Sequence, residues 1–170
     1  MKDKKRVLII FGGQSSEHEV SRVSATSIIK NINTDKFDIS ILGITKEGRW
    51  LPYNGPLEKI ASGEWEEIAL KGRVKSLEAN CSIIDSIVNN GIAPCENNQV
   101  DNTKQNRLKT DVIFPVLHGA NGEDGTIQGL FEIAGIPYVG PGVLGSALGM
   151  DKIYAKIIFE KAGIPQADYL

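Results

Sequence analysis

Short apolar runs alternate with segments of helical spacing along the first part of the chain. Val7–Phe11 is a continuous apolar run, which is typical of a buried parallel strand. From Glu17 to Ile32 apolar residues recur at helical intervals and predict a helix. Phe37–Thr45 predicts a second strand, and residues 46–53 predict a turn followed by a short extended piece. These elements form a β-α-β unit, whose crossover is expected to be right-handed.

The same alternation returns near the end of the chain. Val112–Leu117 predicts another strand. Thr126 is expected to cap a helix that Gly135 ends, and residues 136–140 predict a further strand. A last helix is predicted over residues 150–163. Its apolar face consists of Met150, Ile153, Ile157 and Ile158.

Residues 54–107 show no comparable pattern. Residues 82–92 fit either a short helix or a strand, and residues 94–107 are polar, as is typical of a flexible loop. We interpret the whole range as a poorly ordered insertion on the core.

Strands that alternate with helices predict an α/β fold with a mainly parallel sheet flanked by helices. In such sheets, ligands bind outside the carboxyl ends of the strands. Two polar, glycine-rich loops, Gly12–Ser16 and Gly119–Gly125, directly follow predicted strands. We therefore expect both loops to lie at the same edge of the sheet and to converge on one site.

Composition narrows the class of protein. The 170 residues suffice for one compact domain and the beginning of another, and a net charge of −2 gives no reason to expect nucleic acid or an acidic membrane as a partner. The apolar run after the basic N-terminus is too short for a signal peptide, and no segment is long enough to span a membrane. Cys81 and Cys95 are expected to be reduced. Together these features predict a cytoplasmic protein.

The first glycine loop matches neither common phosphate-binding pattern. It has only Gly12 and Gly13 where a dinucleotide fingerprint needs three spaced glycines, and the P-loop pattern is absent. A triad of Ser15, His118 and Asp124 can be drawn, but the G-x-S-x-G elbow is missing. No cluster of His, Cys and Asp has metal-ligand spacing in the sequence.

Glu17 has two interpretations. Near a helix start its carboxylate is stabilised by the free N–H groups and the helix dipole, while Ser15 or Ser16 could be the N-cap. Alternatively, the carboxylate points into a cleft and pairs with a cation such as a substrate ammonium group.

The histidines and the second loop's acids also have alternatives. His118 ends a predicted strand and is either a core-edge histidine or a site residue, whereas His18 is expected to face solvent. Glu123 and Asp124 have a default role as stabilisers of the next helix start.

Two long motifs then resemble one family. "GGQSSEHEVS" and "HGANGEDGTIQGLFEIAGIPYVGPGVLGSALGMDK" are similar to the D-alanine–D-alanine ligases, which are ATP-grasp enzymes of bacterial cell-wall synthesis. The resemblance covers nearly the whole chain and is weakest over residues 54–107. It implies a Rossmann-like pre-ATP-grasp domain over residues 1–147. Residues 148–170 would then be a linking helix and the start of a truncated central domain.

The resemblance implies ligation of two D-alanines to D-alanyl-D-alanine through an acyl phosphate, with ATP and Mg²⁺ as cofactors. The ATP and magnesium sites would lie mostly beyond Leu170, so these 170 residues alone are expected to be inactive. A homodimer is also implied. The alternatives are a D-alanine–D-lactate or D-alanine–D-serine ligase, or a non-catalytic amino-acid-binding domain.

Site residues carry over from the resemblance by position. Glu17 and His118 would be catalytic: Glu17 would bind the ammonium of the first D-alanine, and His118 would lie beside the same substrate. Glu123 would support this pair. Val20 and Ser21 would shape the helix start beneath the site.

Lys152 corresponds to a family lysine that reaches toward nucleotide phosphate. Its alternative interpretation is an ordinary solvated lysine on a helix.

Overall fold

A computed structural model of the chain describes residues 4–74 and 110–168. Its four described strands are β1 (Lys5–Gly12), β2 (Phe37–Ile44), β3 (Trp50–Pro52) and β4 (Val112–Leu117). They form one sheet in the order β3-β2-β1-β4. β1 pairs in parallel with both β2 and β4, and β3 is antiparallel to β2. The predicted α/β fold with a mainly parallel sheet is thereby confirmed.

Six helices lie in the described part of the chain. They are α1 (His18–Asn31), α2 (Glu58–Ser62), α3 (Trp65–Val74), α4 (Thr126–Ala134), α5 (Val143–Met150) and α6 (Lys152–Lys161). The predicted helices α1, α4 and α6 are present, whereas α2, α3 and α5 were not predicted.

The continuous apolar run of β1 is explained by burial of both faces of the sheet. Alternate residues of a strand point to opposite faces. Ile10 belongs to an apolar cluster with Phe131 of α4, and Ile9 belongs to a second cluster with Ala25 of α1. A strand that is covered on both sides cannot show the alternation of a half-exposed strand.

Residues 54–74 differ from the expected insertion, because they contain helices α2 and α3, both of which contribute buried residues to the core. Trp65 of α3 is 1% exposed, and its ring meets Phe11 of β1 edge-on with the ring centroids 4.7 Å apart. Ile60 of α2 is also buried. The rest of the expected insertion, with Cys81, Cys95 and the two segments interpreted above, lies outside the described residues.

Three predictions about the second half were wrong in detail. Residues 136–140 form only a single bridge, between Tyr138 and Ile113, instead of a strand. The N-cap of α4 is Gly125, which leaves Thr126 as the first helical residue without a capping role. Asp151 divides the predicted last helix, because its carboxylate accepts the N–H groups of Ile153 and Tyr154 and starts a new helix there.

The last helix leaves its apolar side uncovered. Ile153, Ile157 and Ile158 are 66%, 47% and 42% exposed, and α6 has no buried residue.

Among the described residues, no helix combines the length and the apolar character that a membrane crossing requires.

Candidate functional site

The two glycine loops meet at the carboxyl edge of the sheet, because β1 and β4 are adjacent and parallel. The buried hydroxyl of Ser21 joins their strands: it accepts the N–H of Gly12 at 2.7 Å and donates to the carbonyl oxygen of Val116. The order of the sheet reverses at β1, so the site lies at the topological switch point where ligands are expected.

The first loop leaves β1 in a conformation that only glycine adopts easily. Gly12 has φ +92°, and a Cβ there would lie 2.2 Å from the carbonyl oxygen of Ile44. The N–H of Gly13 donates to that same oxygen at 2.9 Å, which fixes the loop against β2.

His18 closes this loop from the helix side. Its Nδ1 lies 2.9 Å from the carbonyl oxygen of Gly13, and the residue is 4% exposed. A carbonyl oxygen only accepts, so Nδ1 carries the proton of this bond. The prediction that His18 faces solvent was therefore wrong, because the loop needs a donor at this position.

Glu17 occupies the N-cap position of α1, but its side chain makes no capping hydrogen bond. Instead, Ser15 accepts the backbone N–H of Glu17 through its Oγ at 3.1 Å, so Ser15 supports the helix start without being its N-cap. The Glu17 carboxylate lies above Gly119 of the second loop, where a Cβ would be 3.2 Å from Oε1. The carboxylate is thus exposed at the junction of the loops.

His118 lies between several polar groups at the end of β4. Its Nε2 is 3.2 Å from Ser24 Oγ on α1, and its Nδ1 is 3.9 Å from Glu123 Oε1. One ligand atom from each of Glu17, His118 and Glu123 lies within 4.8 Å of the others. The structure brings together three side chains that the sequence analysis singled out.

The acids of the second loop have separate roles. Glu123 accepts the N–H of Gly119 through Oε2 at 2.7 Å, and Asp124 accepts the N–H groups of Asn121 and Thr126. Burial raises the pKa of Asp124, but these backbone donors outweigh it and hold the pKa below its usual value. Asp124 thus stabilises the start of α4 as expected. It does not join Ser15 and His118 in a triad.

His118 lines two clefts. One, of about 270 Å³, also involves Gln14, Trp50 and Asn121. The other, of about 670 Å³, also involves Ser24 and Glu123. Two carboxylates beside an imidazole suit a cationic ligand, either an ammonium group or a divalent metal ion, with open space for the rest of the molecule.

Comparison with known proteins assigns the family. Residues 6–141 match the family described as D-ala D-ala ligase N-terminus. The chain belongs to this ligase family.

Similar proteins agree with this assignment. A D-alanine–D-alanine ligase from Acetivibrio thermocellus is 68% identical over all of this chain, which spans 45% of that relative's length. The structure of VanG D-Ala:D-Ser ligase from Enterococcus faecalis has a TM-score of 0.70 and 40% identity, over 95% of this chain and 43% of that one. A D-alanine–D-alanine ligase from Bacillus anthracis, complexed with ATP, has a TM-score of 0.56 and 26% identity, over 97% of this chain and 38% of that one.

Three other residues that the ligase resemblance implied are not part of the triplet of Glu17, His118 and Glu123. Val20 is 51% exposed on α1, Ser21 is buried between the strands, and Lys152 is exposed at the start of α6. They line neither of the two clefts. The hydroxyl of Ser21 bonds the backbone of Gly12 and Val116.

Two polar residues of this candidate site were not predicted from the sequence. Ser24 contacts His118, and Gln128 donates from Nε2 to the carbonyl oxygen of Gly122 at 2.9 Å. Ser24 follows the buried Ser21 by three residues, a spacing that places both on the same side of α1. That spacing could have placed Ser24 on the same side of the helix as Ser21 but not beside His118, and nothing comparable marked Gln128.

Proposed function

We propose that this chain is the substrate-binding N-terminal part of an ATP-dependent D-alanine–D-alanine ligase, and that Glu17 binds the ammonium of the first D-alanine. The convergence of Glu17, His118 and Glu123 within 4.8 Å is the observation that carries the proposal. The chain spans 45% of the length of its Acetivibrio thermocellus relative, so the ligase activity is proposed for the whole protein.

The geometry supports recognition of an ammonium group. Of the two carboxylates at the junction, Glu123 is engaged by the N–H of Gly119. Glu17 lies at the start of α1 without a capping bond of its own. A helix N-terminus stabilises negative charge, and a charge-assisted hydrogen bond to an ammonium is stronger than a neutral one. Glu17 is therefore the better ammonium ligand, with Glu123 and His118 as its supports.

The reaction proposed for the whole protein activates the carboxylate of the first D-alanine, with ATP supplying the phosphoryl group. The amino group of the second D-alanine then attacks the acyl phosphate, and phosphate leaves. The described residues contribute by holding the first substrate in one orientation, an effect that can provide a large part of a rate enhancement. Val20 and Ser21 would shape the helix start beneath this site.

ATP and Mg²⁺ are proposed as cofactors on the strength of the family, one solved member of which is complexed with ATP. Lys152 is the residue of this chain proposed to reach nucleotide phosphate. Its exposed position at the start of α6 suits a mobile cationic side chain.

We also propose that the chain divides into two parts, residues 1–147 and 148–170. The whole protein is proposed to be a homodimer with a cytoplasmic location.

Calorimetry with D-alanine tests the proposed role of Glu17. Glu17→Gln keeps the shape of the side chain and removes its charge, so binding should weaken about 10- to 100-fold. Glu19→Gln is the matched control, because Glu19 lies two residues away and pairs with Lys46. Equal losses of D-alanine affinity in the two variants would contradict the assignment of Glu17 as the ammonium ligand.

A phosphate-release assay with ATP, Mg²⁺ and D-alanine tests the catalytic part of the proposal. The full-length protein should be active and its Glu17→Gln variant should be severely impaired. The 170 residues alone should release no more phosphate than their Glu17→Ala variant. Full activity of the full-length Glu17→Gln variant would refute the role of Glu17 in the reaction.

A D-alanine–D-serine ligase is the second candidate, favoured by the 40% identity to VanG. A competition assay with D-alanine, D-serine and D-lactate as second substrates of the full-length protein distinguishes the three kinds of ligase. D-alanine binding without phosphate release by the full-length protein would instead indicate a non-catalytic amino-acid-binding domain.

A further inference from the structure

Ser24 contacts His118 from a helix 94 residues earlier in the chain, with Oγ 3.2 Å from Nε2. Polar side chains within a helix often bond the carbonyl one turn earlier, as Thr26 does with Arg22 at 2.8 Å. Ser24 instead extends away from its own helix to the end of β4. It also lines the larger cleft together with His118 and Glu123.

The surroundings of His118 determine the direction of this hydrogen bond. A hydroxyl can donate or accept, so the contact with Ser24 is compatible with a proton on either ring nitrogen. The other nitrogen, Nδ1, lies 3.9 Å from a carboxylate oxygen of Glu123. An N–H at Nδ1 is attracted to that anion, whereas a lone pair there would be repelled. The neutral ring therefore carries its proton on Nδ1, and its Nε2 needs a donor.

We propose that Ser24 is a positioning residue of the site: its hydroxyl donates to Nε2 of His118 and holds the Nδ1–H of the ring toward Glu123, beside the Glu17 carboxylate that receives the substrate. The effect on D-alanine rests on the proposed function, but the effect on the ring does not. Without the Ser24 donor, a water molecule or a rotated ring would satisfy Nε2, and the direction of the Nδ1–H would no longer be fixed.

Nitrogen-15 NMR of the ring nitrogens tests the contact directly, at about pH 9, where imidazole is neutral. The chain has two histidines, and a His118→Gln variant assigns their signals. In the unaltered chain, His118 should show a protonated Nδ1 and an unprotonated Nε2. Ser24→Ala should shift both signals toward a mixture of the two forms, whereas Ser24→Thr, which retains a hydroxyl, should preserve them.

Two internal controls separate this effect from general damage to the fold. His18 donates from Nδ1 to Gly13, and its signals should not change in Ser24→Ala. Ser27→Ala removes an exposed hydroxyl from the same helix and should leave His118 unchanged. Unchanged His118 signals in Ser24→Ala, or a proton found on Nε2 in the unaltered chain, would overturn the proposal.

Binding and kinetics then test the link to substrate. Ser24→Ala should weaken D-alanine binding and raise KM in the full-length protein about 3- to 10-fold, with Ser24→Thr close to the unaltered protein. Unchanged binding in Ser24→Ala would overturn the positioning role. If the unaltered full-length protein fails to bind D-alanine while the ring signals still depend on Ser24, the proposed function fails and the contact stands.

Discussion

The two glycine loops follow the same plan but use their acidic residues differently. Each loop leaves the carboxyl end of a parallel strand and leads into a helix. In the second loop Glu123 and Asp124 both accept backbone N–H groups, so their charges hold the loop together. In the first loop Glu17 makes no capping bond. An acid that the fold does not need for its own backbone is available to a ligand.

The largest expected effect comes from the turn of the first loop. Gly12→Ala places a Cβ 2.2 Å from the Ile44 carbonyl oxygen at a φ of +92°. Left-handed strain and displacement of β2 should together lower the free energy of unfolding by at least about 3 kcal/mol, measured by urea denaturation.

Two other glycine variants provide reference values for the loss of stability expected in Gly12→Ala. Gly119→Ala in the second loop meets the Ser15 side chain, which can move, so its cost should be smaller. Gly129→Ala in α4 meets nothing within 4 Å and should stabilise the protein by about 0.5–1 kcal/mol. A loss for Gly12→Ala no larger than that for Gly119→Ala would show that the first loop is not the more tightly constrained one.

The next effect concerns the contact that joins the two strands. Ser21→Ala leaves the buried N–H of Gly12 and the carbonyl oxygen of Val116 without their shared partner. Unfolding in urea should show a loss of about 2 kcal/mol. Ser27→Ala on the exposed side of α1 should change stability by less than about 0.5 kcal/mol. Equal small changes in both variants would mean that water replaces the Ser21 hydroxyl.

Much of this arrangement could be predicted from local patterns in the sequence. Runs such as Val7–Phe11 and Val112–Leu117 mark buried strands, and glycines directly after them place the loops at one edge of the sheet. The secondary structure and packing of residues 54–74 could not be predicted from such local patterns. Helix α2 is only five residues long, and Trp65 is held in place by long-range contact with Phe11.

The site itself was only partly predictable. Glu17 and His118 were candidates because they lie at the carboxyl ends of predicted strands, whereas the site role of Glu123 was implied only by the family resemblance. The burial of His18 depends on the carbonyl oxygen of Gly13, whose orientation follows from the turn and is not encoded in any single residue type. The partnership of Ser24 and His118 joins segments 94 residues apart, beyond the reach of helical spacing.

A smaller effect should distinguish the structural acids by pH. Asp124→Asn keeps one acceptor oxygen but loses the charge, and should cost about 1 kcal/mol at pH 7. Because the pKa of Asp124 is lower in the folded protein, its contribution is present above the unfolded value of 3.8 and is lost as pH falls through the folded value.

Urea unfolding from pH 7 down to pH 3 measures this change. The difference between the unaltered protein and Asp124→Asn should shrink below about pH 4. Asp111, whose pKa Arg6 holds low, titrates in both proteins and cancels in the comparison. A difference in the free energy of unfolding that stays constant down to pH 3 would show that the charge of Asp124 does not stabilise the folded protein.

The smallest expected change in stability is the most informative about function. Glu123→Gln weakens the bond to the N–H of Gly119 and should lower the free energy of unfolding by about 1 kcal/mol. The Glu17 side chain makes no capping bond to the backbone, so Glu17→Gln should change the free energy of unfolding by less than about 0.5 kcal/mol. The same variant should weaken D-alanine binding. A large stability loss for Glu17→Gln would make Glu17 a structural acid like those of the second loop, and the contrast between the loops would then fail.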